Sequence, residues 1–347
     1  MPKASPVHRI EWADFAKGVA IILVVLGHAT EPCILKKLIF VFHMPFFFVT
    51  AGFLLNLNKW GGAQNFKPFA AKLFWRLLVP YYLAEILWYP IWFVVCHEAG
   101  YLSYWNWCNE DPLRSLCAIF VGNGNGVGLI LLQLWFLPAL LCAEIIFVKL
   151  FTRLNKFGAK IFASGIVLAA LIGLRVKNFF VLPMGCDVAL VAQIFLLAGV
   201  LIRKYNVVDR IGLKTCAGLT LILVVAFIFN EYVDMNNRIY GNALMFYAGG
   251  LSGTLLLMKL SALVTKVGGK ICALIKTCGR QSIMILVMHP IIANIFYEVI
   301  VRAADFPPEK LFADPTAIFF ATCFGTLIPL FVAKKFGTLP VLKHFAA

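Results

Sequence analysis

Apolar residues run in long stretches along the whole chain, and few charged residues interrupt them. An apolar helix of about 20 residues is long enough to cross the ~30 Å hydrocarbon core of a bilayer. We therefore predict ten membrane spans, at 13–30, 34–57, 74–97, 129–150, 160–175, 179–202, 211–231, 239–260, 281–301 and 315–334. The predicted fold is an all-α integral membrane protein of about ten transmembrane helices.

The first predicted span carries three polar residues, Asp14, Lys17 and His28. Lys17 and His28 are eleven positions apart, close to a whole number of turns, so they share one face about 16 Å apart along the axis. Asp14 lies one turn before Lys17 and can pair with it. Since charges in lipid are costly, this face should point into a protein interior or a wet cavity. A structural ion pair is the alternative for Asp14 and Lys17, and an interfacial anchor is the alternative for His28.

Two further histidines lie inside predicted spans, His43 in the second and His289 in the ninth. Ser282 comes seven residues before His289 and shares its face, and Trp135 lies near the start of the fourth span. Such residues more often pack or form interhelical hydrogen bonds than catalyse, but buried ionisable groups also suit a proton relay or a transport path. Counted along their helices, His43 and His289 lie nearer the middle of the membrane than His28 and not beside it.

The remaining polar residues of the spans have simpler interpretations. Glu85, Glu144 and Asp187 are most simply partners in interhelical hydrogen bonds. The ten cysteines form no CxxC motif and no cluster with histidines, so we interpret them as packing residues and predict no metal site.

Composition excludes a soluble globular protein, because only 14% of the residues are charged, against about 25% in soluble domains. The net charge of +15 follows the membrane topology and does not indicate a nucleic-acid partner. If the N-terminus is cytoplasmic, the connections on that side after the first span hold twenty Lys and Arg with one acid, whereas the opposite connections hold eight with nine acids. The positive-inside rule then puts both termini in the cytoplasm. Lys72 and Arg76 lie on this inner side, where they anchor the third span or bind an anionic cofactor.

Five segments resemble the motifs of one family. They are RIEWADFAKGVAIILVVLGHA at 9–29, FHMPFFFVTAGFLL at 42–55, FAAKLFWRLLVPYYL at 69–83, LWFLPALL at 134–141 and GRQSIMILVMHP at 279–290. In this order they resemble the membrane-bound acyltransferase 3 family, and most closely its sugar O-acetylases of the fucose 4-O-acetylase type. The first motif pairs a basic residue with a histidine eleven positions later, here Lys17 and His28; arginine is usual at the first position, and lysine occurs in this subgroup.

The resemblance implies one membrane domain over 1–347, without an appended soluble domain, in a bacterial cytoplasmic membrane. It implies transfer of an acyl group, usually acetyl, from cytoplasmic acyl-CoA to a hydroxyl of a cell-envelope glycan or of its lipid-linked precursor. It identifies neither the glycan nor the oligomeric state. The alternative is a transporter or flippase of a lipid-linked glycan or small solute, which would use the same buried ionisable groups.

Roles for individual residues follow from the resemblance as hypotheses. The phosphates of acyl-CoA would lie near Lys72, Arg76 and Arg280, because the inner side is cationic. Lys17, held by Asp14, would position the donor or stabilise oxyanion charge, and His28 would act as general base on the acceptor hydroxyl. Direct transfer and an acyl-His28 intermediate both remain open. The residues expected to line the channel or contact substrate are His43, Trp135, Ser282 and His289.

Overall fold

The computed structural model describes residues 10–101, 110–124 and 129–337, and the following account concerns these residues. Their regular secondary structure is helical, and the pairing of Asp234 with Ile239 is an isolated bridge outside any strand. Eight helices are long and apolar enough to cross a membrane, and a ninth span arises if the bent pair Pro183–Val191 and Gln193–Lys204 counts as one. The predicted all-α membrane fold is confirmed. The seventh predicted span corresponds to a shorter apolar helix of 17 residues, Leu213–Phe229.

The helices used below begin and end as follows. They are α1 (Glu11–Ala29), α2 (Ile34–Leu54), α3 (Leu57–Trp60), α4 (Phe66–Leu73), α5 (Val79–Ile91), α6 (Pro112–Val121), α7 (Phe136–Leu154), α8 (Ala159–Val176), α9 (Cys186–Val191), α10 (Gln193–Lys204), α11 (Val207–Arg210), α12 (Leu213–Phe229), α13 (Ala243–Val267), α14 (Lys270–Arg280), α15 (Ser282–Ala304) and α16 (Pro315–Phe336). Helical turns of the π type at Phe74–Leu78 and Trp92–Glu98 extend α4 and α5 into one span, and a 3₁₀ turn at Leu132–Trp135 precedes α7.

Helix α1, which carries the polar stripe, lies at the centre of the bundle. It packs against α2, α13, α14, α15 and α16. Its residues Ala16, Ala20, Ile21 and Val25 are almost completely buried. By contrast, α12 exposes several large apolar side chains, as expected of a helix that faces lipid. Helix α1, which carries the stripe, is therefore surrounded by protein on most of its circumference.

Two close helix crossings depend on glycine. A Cβ built on Gly18 would lie 1.9 Å from a carbonyl oxygen of α14, and one on Gly279 would lie 1.8 Å from a carbonyl oxygen of α1. Gly52 of α2 and Gly199 of α10 make an equivalent crossing, with distances of 2.1 and 2.0 Å. Small residues allow such backbone contact between membrane helices. The first crossing brings α14 beside the start of α1.

A connection on the predicted outer side, residues 230–242, folds into what we name the outer hairpin. Asp234 and Ile239 exchange two backbone hydrogen bonds of 2.8 Å. The Arg238 guanidinium of this hairpin is buried and donates to both carboxylate oxygens of Asp187, at 2.8 and 3.1 Å. It also donates to the Asn123 side-chain oxygen at 2.7 Å. Asp187 thus has an ionic partner, a stronger one than the expected interhelical hydrogen bond.

Candidate active site

The polar stripe of α1 lines a cavity in the middle of the bundle, which we name the central cavity. It lies between α1, α2, the π turn at Phe74–Leu78, the 3₁₀ turn with α7, and the start of α15. Counted with the space open to solvent, as for the cavities below, its volume is about 950 Å³. Among its lining residues are five of the predicted site residues: Lys17, His28, Arg76, Trp135 and Ser282. The shared face of Lys17 and His28 follows from helix periodicity, but the other three come from separate elements.

The inner end of the stripe is an ionic cluster. The Lys17 ammonium lies 3.1 Å from one Asp14 carboxylate oxygen, and the Arg280 guanidinium lies 3.2 Å from the other. Lys17 lines the central cavity, whereas Asp14 and Arg280 are not among the described residues that line it. Because one carboxylate faces two cations, the cluster keeps a net positive charge beside the cavity. Arg280 reaches Asp14 because the glycine crossing places the end of α14 there.

A second cationic group lies where α4 meets the span that follows it. Arg76 forms an ion pair with Glu144 of α7, and both residues line the central cavity. They also line a smaller cavity of about 370 Å³, the inner cavity, together with Lys72. The Lys72 ammonium lies 5.6 Å from the centre of the Trp60 ring. Lys72 therefore faces a compartment next to the central cavity, with Arg76 at the boundary between the two.

At the outer end of the stripe, His28 has a second histidine beside it. The ring centres of His28 and His289 are 5.6 Å apart, so the expectation that His289 lies away from His28 is wrong. That expectation assumed that the helices of His28 and His289 both begin at the same membrane boundary, which places His289 nearer the middle of the membrane than His28. Helix α15 instead begins beside Lys17, since Ser282 lines the same cavity and Arg280 contacts Asp14.

Hydrogen bonds define the tautomers of two histidines. The Nδ1 atoms of His43 and His289 lie 2.9 and 3.0 Å from the carbonyl oxygens of Ile39 and Ile285. A carbonyl oxygen can only accept, so Nδ1 carries the proton and Nε2 of the neutral ring keeps its lone pair. The Nε2 atom of His289 is buried and has no hydrogen-bond partner among the described residues. The basic nitrogen of His289 is therefore available to a ligand or water.

Two cavities open on the predicted outer side of His28. The histidine cavity, about 1260 Å³, is lined by His28 and His289, and the hairpin cavity, about 690 Å³, is lined by His28, His43 and the outer hairpin. His28 and Gln133 line both of these cavities and the central cavity as well. His28 thus borders a compartment that reaches the cationic inner end and also two compartments on the predicted outer side.

Sequence reasoning missed Gln133 and the hairpin residue Tyr232. Gln133 lies in the 3₁₀ turn at Leu132–Trp135, one residue before the LWFLPALL motif, so a polar residue next to a motif was the available signal. Tyr232 lines the hairpin cavity and stacks on Phe40, with ring centres 5.3 Å apart. No sequence signal pairs it with α2. Glu144 was expected to form an interhelical hydrogen bond, and its partner is Arg76.

Comparison with known proteins gives one result. Neither the curated proteins nor the solved structures include a match to this chain. The family model described as an acyltransferase domain, that of acyltransferase 3, matches residues 10–334. This match covers the central cavity, both outer cavities and every described residue of the candidate site. Membership of that family implies acyl transfer as the activity, and on this match the chain belongs to the acyltransferase 3 family.

Proposed function

We propose that this protein transfers an acyl group, in the first instance acetyl, from cytoplasmic acyl-CoA to a hydroxyl of a cell-envelope sugar or of its lipid-linked precursor. The motif resemblance favours the sugar O-acetylases of the fucose 4-O-acetylase type. The observation that carries the proposal is the position of His28, which lines the central cavity and both outer cavities. A donor and an acceptor that approach from opposite sides can meet at this residue.

The inner half of the site suits the donor. The phosphates of acyl-CoA are anionic, and Lys72 and Arg76 line the inner cavity with Glu144, the ion-pair partner of Arg76, so the three side chains leave one net positive charge there. The pantetheine arm is long and carries no charge, so it can enter the central cavity, whose lining is mostly apolar. Lys17 is about 16 Å from His28 along the helix axis, so we assign it to positioning the donor and not to oxyanion stabilisation. Asp14, which also pairs with Arg280, holds Lys17 in place.

The outer half of the site suits proton transfer. His28 accepts the proton of the acceptor hydroxyl as the hydroxyl oxygen attacks the thioester carbonyl, a role worth about 10² to 10⁴ in rate. His289, with its ring centre 5.6 Å from that of His28, can accept the same proton through water or hold the second substrate. Transfer through an acyl-imidazole is the other route compatible with two adjacent histidines. His43, Trp135 and Ser282 are proposed to contact the substrates.

The topology needed for this reaction is part of the proposal. Both termini and the cationic inner cavity lie in the cytoplasm, where acyl-CoA is made, and the histidines lie toward the outer side of a bacterial cytoplasmic membrane. The whole chain acts as one membrane domain, with the acceptor glycan and the bilayer as its partners.

The test is thiol release from acetyl-CoA by purified protein in lipid nanodiscs, with and without envelope glycan. We expect glycan-stimulated release by the wild type and its loss in His28→Ala. His97→Ala is the matched control, because the His97 ring packs on Trp92 and Phe93 and is not among the residues lining the three cavities. Folded wild-type protein that neither binds nor consumes acetyl-CoA would refute the proposal and make ion-driven transport the next hypothesis to test.

A further inference from the structure

The two outer cavities differ in chemistry. Of the described residues that line the hairpin cavity, eight of thirteen carry polar side chains. In the histidine cavity the number is six of seventeen. An acceptor sugar presents hydroxyls that both donate and accept hydrogen bonds, so it requires the more polar surroundings. The hairpin cavity therefore fits a sugar better.

The wall of the hairpin cavity is held in place before any ligand arrives. The backbone bridge between Asp234 and Ile239 closes the outer hairpin. The buried pair of Arg238 with Asp187 ties the hairpin to α9, and the bond from Arg238 to Asn123 ties it to the segment after α6. A site whose supporting residues are already bonded loses less entropy on binding.

An aromatic contact connects this wall to the catalytic histidine. The Phe40 ring lies 6.4 Å from the His28 ring and 5.3 Å from the Tyr232 ring, centre to centre, and it stacks on Tyr232 at 30°. Burial, and after it the Asp234 carboxylate, raises the pKa of the Tyr232 phenol, which therefore stays protonated and can donate a hydrogen bond. Because the Phe40 ring neighbours both side chains, a ligand in contact with Tyr232 lies close to His28.

The charges around the hairpin cavity balance. Lys36 and Asp234 both line it, one cationic and one anionic, and the neighbouring Asn236 and Asn237 are neutral. Asp234 accepts from the Asn237 backbone N–H at 3.1 Å and from its side chain at 2.8 Å, so its orientation is fixed. A cavity with one charge of each sign favours an uncharged polyol over a uronic acid or an amino sugar.

We infer that the hairpin cavity is the acceptor site and binds an uncharged pyranose residue through Tyr232, Asp234 and Asn237, with one hydroxyl directed at His28. This inference rests on the proposed function. In the reaction the sugar oxygen forms a bond to the acyl carbon and the bond from that carbon to the CoA sulfur breaks. The hydroxyl proton passes to His28 and then to the CoA thiolate, so the products are the sugar ester and free CoA.

The experiment uses envelope polysaccharide of the source cells. Mild alkali first removes the existing esters from the polysaccharide, and anion exchange then separates it into neutral and anionic fractions. For Tyr232→Ala we expect the KM for the neutral fraction to rise at least tenfold, with the KM for acetyl-CoA unchanged. Asn237→Ala removes an exposed side chain from the same wall and leaves the backbone bridge and the Arg238–Asp187 pair intact, and it should raise the same KM by a smaller factor. Asn294→Ala, in the histidine cavity, is the matched control and should leave the KM for the neutral fraction unchanged.

Binding is measured separately from turnover by saturation-transfer NMR between the protein in nanodiscs and each polysaccharide fraction. Tyr232-dependent binding of the neutral fraction supports the inference, even if no thiol is released, in which case only the proposed function fails. A KM that rises in Asn294→Ala but not in Tyr232→Ala overturns the inference, because the acceptor would then occupy the histidine cavity. Binding of the anionic fraction alone also overturns it.

Discussion

The two ends of the stripe on α1 organise their chemistry differently. At the inner end, Asp14, Lys17 and Arg280 form an ionic cluster at 3.1 and 3.2 Å, with two members on one helix. At the outer end, His28 lies beside His289 and lines the same cavities as Gln133, and these two residues belong to other elements. Charge acts over distance and tolerates small displacements, whereas proton transfer requires atoms within hydrogen-bond reach.

This difference assigns separate tasks to the two ends. The inner end is suited to binding an anionic group with loose geometry, and the outer end is suited to the chemical step. Changes at the inner end should therefore alter KM for the donor, while changes at the outer end should alter kcat. The following predictions test that division, beginning with the largest expected effect.

The largest effect is expected at His28. His28→Gln keeps a polar side chain of similar reach but removes the base, so we expect kcat to fall by about 10² to 10⁴. Equilibrium binding of acetyl-CoA should change by no more than about twofold, because the proposed donor contacts lie at the inner end. Single-turnover kinetics and a binding titration on the same sample check both parts. An equal loss of donor affinity would show that the two ends do not act separately.

Next comes the buried pair that anchors the outer hairpin. Asp187→Ala leaves the Arg238 guanidinium buried without its carboxylate, which costs about 3–5 kcal/mol of folding free energy. Denaturation of the protein in detergent measures this loss. The double change Asp187→Leu with Arg238→Met removes both charges and should recover much of it. If the double variant does not recover stability, the pair contributes more to folding than the mutual neutralisation of its two buried charges.

A smaller effect is expected at the inner cavity. Lys72→Ala removes a proposed phosphate contact, and a hydrogen bond to a charged group contributes about 1.5–3 kcal/mol, so the KM for acetyl-CoA should rise about tenfold or more. The kcat should change little, and the effect should shrink at high salt because the site is partly open to solvent. Lys160→Ala, an exposed lysine on the same predicted side, is the control. A kcat defect in Lys72→Ala would contradict the proposed separation of tasks.

The smallest effect is expected at the exposed pair of Glu11 with Lys276, which are 2.9 Å apart. Glu11 is well exposed, so solvent screens this pair and its removal in Glu11→Gln should leave the unfolding temperature and the donor KM unchanged. The same measurements on Asp14→Asn should show a clear rise in donor KM, since Asp14 is buried between two cations. Similar results for the two variants would mean that the Asp14 cluster contributes no more than a surface pair.

Local physics made much of this protein predictable from its sequence. Apolar length identified eight of the ten predicted spans as single long helices, because a helix needs a minimum number of residues to cross a bilayer. Helix periodicity put Lys17 and His28 on one face, and both line the central cavity. The pairing of Asp14 with Lys17 followed for the same reason, since residues three apart on a helix are neighbours.

What only the tertiary structure decided is which residues meet across helices. The glycine crossing of α1 with α14 set the level at which α15 begins, and this brought His289 beside His28. It also joined Arg280 to Asp14. The convergence of Gln133 and the outer hairpin on His28 likewise depends on packing between residues far apart in the chain. Periodicity describes one helix at a time, and the relative depth and rotation of two helices depend on their contact surfaces.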